Sequence, residues 1–182
     1  VRTPTDASKL TRFIEALGQR SSSPGRVYIV GGGSAVLYGW RSSTVDVDIK
    51  LDPEPAGAFG AIGRLKDELR INVELASPEQ FIPELPGWRE RSVHIGRYGQ
   101  VDFYHYDFYA QALAKIERGH SRDLGDVEAM FRAKLVEPGR LLELFQAVEA
   151  SLDRYPAIDE EAFRAKVEVA LSRFTAATGA QP

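Results

Sequence analysis

Between Val27 and Leu51 the chain reads VYIVGGGSAVLYGWRSSTVDVDIKL, and no other stretch restricts the fold so tightly. An apolar run of four ends in three glycines. A short segment of helical character follows, Ser34–Trp40 with Gly39 near its end, and Thr44–Leu51 then alternates without a break. An apolar run closed by glycine reads as a buried strand, and strict alternation reads as a strand with one face on a core. Val45, Val47 and Ile49 therefore point one way, and Asp46, Asp48 and Lys50 the other. The order strand, glycine turn, short helix, strand calls for a sheet with a helix packed on it. It also sets two carboxylates roughly 6.5–7 Å apart on one face of a strand.

Two familiar glycine motifs do not explain the turn. A dinucleotide fingerprint would need glycine where Val36 stands, and a P-loop would need Gly-Lys-Ser/Thr at the helix start. Glycines let backbone approach a ligand closely, and N–H groups at a helix start favour phosphate. Two like charges side by side repel unless a cation lies between them, and ligands made only of oxygen suit Mg²⁺, which shares phosphate oxygens. Turn and acids together answer one need, holding a triphosphate with its metal. Taken singly, each has a plainer reading: a solvated strand face and an ordinary turn.

The rest of the chain supplies the scaffold. Leu10, Phe13, Ile14 and Leu17 form a helical stripe over 6–20, ended by Ser21–Gly25, and Phe59, Ile62, Leu65 and Leu69 form another over 56–70. Residues 71–75 read as a third strand; 92–95 and 100–106 read as two more, joined by the tight GRYG turn. From Phe108 the pattern is helical over 108–119, 122–135, 139–154 and 159–177, broken at Gly119, Pro138-Gly139 and Pro156. This predicts an α+β fold, a small mixed sheet flanked by helices with an all-helical C-terminal part. The expected organisation is a core over 1–135 and a helical extension over 136–182 within the same compact unit.

Composition narrows the function. The 182 residues suffice for one domain, and the absence of cysteine excludes disulfides and thiolate metal sites. A net charge of -3 argues against a protein that coats nucleic acid, so RNA contact would need a local face such as Arg132, Lys134 and Arg140. No apolar run approaches ~18 residues and the start lacks an export pattern, so the expectation is a cytoplasmic protein without membrane contact. His94, His105 and His120 show no metal-ligand spacing, and Trp40 and Trp88 read as packing.

Gly32-Gly33-Ser34, followed after a short helix by Asp46-Val47-Asp48-Ile49, resembles the signature of the DNA polymerase β-like nucleotidyltransferase superfamily. With Arg41 and Thr44 just before the acids, it looks like the AbiEii/MenT-type branch, which includes toxins of type IV toxin–antitoxin systems. The resemblance implies the polymerase β-like nucleotidyltransferase fold and Mg²⁺-dependent transfer of a nucleotide from an NTP. In that branch the best-defined acceptor is the 3′ end of tRNA, with CTP or another pyrimidine NTP as donor and a cognate antitoxin as partner. It further implies that Asp46 and Asp48 ligate the metal, that Gly32, Gly33 and Ser34 bind the phosphates, and that Arg41 and Thr44 contact the triphosphate.

A second stretch, YAQALAKIERGHSRDLGDVEAM (109–130), is similar to the other half of that branch's pattern. The similarity implies Lys115 near the triphosphate and Asp123 orienting it or the acceptor, with Arg118 and Arg122 available to phosphates. Read without the family, Ser121 capping a helix with Asp123 and Asp126 in its opening turns is ordinary helix chemistry. A third carboxylate and metal ligand is implied on a later strand facing the pair; Asp102 is the first choice and Asp107 the competitor. The aromatic run FYHYDFY (103–109) stacks a base or packs the core. Two other functions stay open, nucleotidylation of a protein hydroxyl and non-catalytic nucleotide binding.

Overall fold

Leu10, Phe13, Ile14 and Leu17 are all buried, on helix α1 (Ala7–Arg20). Asp6 starts that helix, its carboxylate accepting from the Lys9 amide at 2.9 Å, which satisfies one donor that a helix start leaves without an internal partner. The structure is a computed structural model and describes residues 3–178. They fall into two compact units: residues up to Ser77 with Ser92–Tyr106, and Pro78–Arg91 with the described chain from Asp107 onward.

The first unit continues with β1 (Gly25–Val30), α2 (Gly32–Tyr38), β2 (Asp46–Leu51), α3 (Ala58–Glu68), β3 (Asn72–Leu75), β4 (Val93–Tyr98) and β5 (Val101–His105). The strands form one mixed sheet in the order β3-β2-β1-β5-β4. Strand β1 runs antiparallel to β2 and parallel to β5, while β2 and β3 are parallel and β4 and β5 antiparallel. Val27, Ile29, Val47, Ile49, Val101 and Phe103 join the α1 and α3 stripes in a single apolar core. Paired residues share a face, so the opposite face carries Arg26, Tyr28, Asp46, Asp48, Lys50, Asp102 and Tyr104. Tyr28 and Tyr104 stack there with ring centroids 5.4 Å apart, so this part of the aromatic run packs against its own sheet.

The second unit is helical: α4 (Trp88–Arg91), α5 (Phe108–Arg118), α6 (Ser121–Arg132), α7 (Pro138–Glu149) and α8 (Glu160–Thr178), with single tight turns at Pro78–Gln80 and Leu152–Arg154. Helix α5 packs against α6, α7 and α8. Phe131 stacks on Phe174 and Phe145 meets Phe163 edge-on, so the apolar faces of these helices cover one another. Set beside the expected boundary after residue 135, α5 and α6 share a core with the helices beyond it, and the division into units falls after Tyr106. Helix α4 escaped the sequence reading because four residues are too few to show a period. Among the described residues no helix is long and apolar enough to cross a membrane.

Candidate active site

Each glycine of the turn lets a different neighbour come close. Gly31 has φ +58°, a conformation that favours glycine, and a Cβ there would stand 3.4 Å from Asp48 Oδ2. At Gly32 a Cβ would lie 2.2 Å from Thr44 Oγ1 and 3.6 Å from Arg41 Nη1, and at Gly33 it would meet Ile29 Cγ2 at 2.7 Å. Thr44 is fixed from two sides. Its hydroxyl donates to the Asp46 carbonyl at 2.9 Å, and its backbone exchanges hydrogen bonds with Thr5 at 2.7 and 2.9 Å. The structure thus gathers Gly31, Gly32, Arg41, Thr44 and Asp48 around the start of α2, where the first helical N–H groups have no partner within the helix.

Ser34 lies deeper. It is fully buried, its hydroxyl donates to the Ile29 carbonyl at 3.1 Å, and His105 Nδ1 stands 3.0 Å from the same oxygen. Since the hydroxyl proton goes to Ile29, His105 Nδ1–H is the donor of the second bond. Burial lowers the His105 pKa to about 4, so the ring is neutral near pH 7. The Ser34 hydroxyl, expected at a phosphate, is therefore committed to anchoring α2 to β1 and β5. The alternation of the β5 strand places His105 on the inner face, which was the available signal for this anchor.

Asp46 and Asp48 occupy alternate positions of β2, each partly exposed on the outer face. The neighbouring strand supplies what sequence reasoning missed. In the parallel register Asp46 faces Asn72 and Asp48 faces Glu74, so Glu74 shares the face of the pair. Asn72 Nδ2 lies 2.7 Å from Asp46 Oδ1 and 2.9 Å from Glu74 Oε1. The signal was present in the alternation of Asn72-Val73-Glu74-Leu75 and in the strand–helix–strand crossover that sets such a strand parallel to its predecessor.

Asp102 is not brought to the pair. It is the β1 partner of Arg26, whereas Asp48 is the partner of Val30, four residues or roughly 13 Å further along that strand. Its carboxylate is committed to Arg97 at 2.6 and 2.9 Å and to His94 at 3.2 Å. The Arg97 hydrogen bonds chiefly hold its pKa below the ordinary range, against burial and with help from His94. On this face the carboxylate beside the pair is Glu74. Asp107, the competitor, caps α5 within the second unit: it is fully buried, accepts from the Tyr109 amide at 3.1 Å and pairs with Arg91 at 2.6 Å. Burial raises its pKa despite Arg91.

Lys115 lies inside the second unit. Its ammonium, 4% exposed, donates to Asp123 Oδ1 at 3.1 Å and Asp126 Oδ2 at 2.6 Å, and Arg118 reaches Asp123 Oδ1 at 2.9 Å. Burial pushes the Asp123 pKa up, but Lys115 and Arg118 outweigh it and the net shift is downward. Two cations and two anions balance one another, so the expected constellation exists as a closed ionic knot. Arg122 stands exposed beside it. His120, not Ser121, occupies the capping position of α6 and makes no side-chain cap, so the expected serine cap is absent.

A mixed sheet with a glycine turn after its first strand and carboxylates on the next two is compatible with the nucleotidyltransferase fold. The family model described as "Nucleotidyltransferase of unknown function (DUF6036)" matches residues 8–175, and the chain belongs to that family. No curated protein and no solved structure matches it.

Proposed function

We propose that the protein is a Mg²⁺-dependent nucleotidyltransferase that moves a nucleotide from an NTP, a pyrimidine one by preference, to the 3′ end of tRNA. It acts as the toxin of a type IV toxin–antitoxin pair and is held in check by a cognate antitoxin. The observation that carries the reaction is the meeting of the glycine turn with Asp48, beside Asp46 and Glu74. Toxin role and acceptor rest on the sequence resemblance.

The donor set fits the metal. Among the described residues no three His, Asp or Glu side chains form a ready cage, and Mg²⁺ does not require one, since one or two carboxylates plus substrate phosphates usually hold it. Asp46 and Asp48 would be those carboxylates, with Glu74 adjacent. When bound, the ion neutralises charge on the triphosphate and on the departing pyrophosphate. The glycines let backbone close on the phosphates, and Arg41 beside Gly32 supplies a cation for them. The acceptor hydroxyl oxygen bonds to the α-phosphorus, the bond to the β-phosphate oxygen breaks, pyrophosphate leaves, and the hydroxyl proton passes to solvent.

Incubation of the protein with Mg²⁺, total tRNA and each labelled NTP, beside Asp48→Ala, tests this. Label should enter RNA from one NTP and fall at least about a hundredfold in the variant, since loss of a metal ligand removes several kcal/mol of charge stabilisation and 1.36 kcal/mol is tenfold. The net charge of -3 favours a protein hydroxyl as the second acceptor, and label entering protein would move the reading there. No transfer to either acceptor, with NTP still bound, would leave a binding module.

A further inference from the structure

Asn72 is an odd residue to open a strand, because asparagine is depleted in sheets. Here both of its amide hydrogens serve carboxylates: Nδ2 is 2.7 Å from Asp46 Oδ1 on β2 and 2.9 Å from Glu74 Oε1 on its own strand. We propose that Asn72 is a positioning residue for the metal site, fixing Asp46 through Oδ1 so that Oδ2 is left to meet the cation. The inference rests on reading the first unit as the metal–nucleotide site. Among the described residues Asp46 Oδ2 has no hydrogen-bond partner, so the carboxylate has one anchored oxygen and one open one.

The choice of an amide is what makes this useful. A lysine or arginine in the same place would anchor Asp46 equally well but cancel the charge that a cation needs. A serine or threonine has one proton and could serve only one of the two acids. The amide holds both acids in place and adds no positive charge of its own. Partners of this kind behind a metal ligand typically change metal affinity about 10–100-fold.

The test uses the full chain and Mn²⁺ as a spectroscopic probe of the divalent site. Titrations followed by electron paramagnetic resonance compare the wild type with Asn72→Leu, which keeps the shape and removes the donors. The Kd for Mn²⁺ should rise about tenfold or more. Melting in chelator should stay close to wild type, because Asn72 is partly exposed on an edge strand. Should the leucine variant fail to fold, Asn72→Ala, which also removes both donors, carries the same expectation. In an Asp46→Asn background the Asn72→Leu change should add much less than it does alone, as residues acting through one another are not additive. Unchanged Mn²⁺ affinity in Asn72→Leu, or full additivity in the double variant, overturns the proposal while leaving the metal site standing. Unchanged affinity in Asp46→Asn itself overturns the metal site and the proposal with it.

Discussion

Two clusters of acids, one in each unit, are held in opposite ways. In the first, Asp46 is held by a neutral amide, with Asp48 and Glu74 gathered beside it and glycine backbone close by. In the second, Asp123 and Asp126 surround a buried lysine, and Arg118 closes the set. An acid held by a neutral donor keeps its charge for a ligand, whereas an acid held by a cation has already found its counter-ion. The first arrangement suits a site and the second suits a joint. Position in the sequence does not distinguish them; the chemistry of the partner does.

The strongest way to break this comparison is at Lys115. Lys115→Met leaves two aspartates without their buried cation and should destabilise the second unit by about 3–5 kcal/mol, read by urea unfolding. Asp46→Asn should lose metal binding with little change in stability. A Lys115→Met protein as stable as wild type would show that the knot is not a structural joint.

A smaller effect sharpens the first unit's side. His105 is neutral when folded, with a pKa near 4 against an ordinary 6.5. Above pH 6.5 neither the folded nor the unfolded chain protonates it, and its full contribution is present. Between pH 6.5 and 4 the unfolded chain takes up a proton that the folded one refuses, so stability falls with pH, by about 3 kcal/mol across the window. Denaturation at pH 7 and pH 5 should show this loss, and His105→Asn should flatten it. An equal loss in the variant would place the acid sensitivity elsewhere.

The smallest effect belongs to Asp102. Its partner Arg97 is 65% exposed, so Asp102→Asn should change stability by less than about 1 kcal/mol. Nucleotide transfer should persist. Loss of transfer in that variant would return Asp102 to the metal site and displace Glu74.

Legibility followed the range of the forces involved. The β1–α2–β2 segment could be read because its signals are local: an apolar run, glycines and strict alternation within one window. The distance of Asp102 from the pair could not be read, because it depends on which strands are neighbours and how far they slide, and hydrophobic flanks carry neither fact. Glu74 carried the same flanks, Val73 and Leu75, but its place beside Asp48 emerges only from the β2–α3–β3 crossover. The Lys115 knot was visible as two pairs at helical spacing, Lys115 with Arg118 and Asp123 with Asp126. Its closed electrostatics was not visible, because burial is a property of the packed helices and not of the motif.

Strand β1 lies in the middle of the sheet, yet its two neighbours are made at very different times. Strand β2 follows within one short helix, while β5 arrives only after β2, β3 and the first piece of the second unit have been synthesised. Until Val101–His105 emerges, β1 presents an open row of backbone donors and acceptors flanked by Val27, Ile29 and Val30. A nascent chain that stalls in that interval carries an exposed, apolar strand edge of the kind that recruits other chains. For this protein the hazardous stage of biogenesis ends when the β4–β5 hairpin is completed, and shortened products ending before residue 101 should be found in aggregates or bound to chaperones.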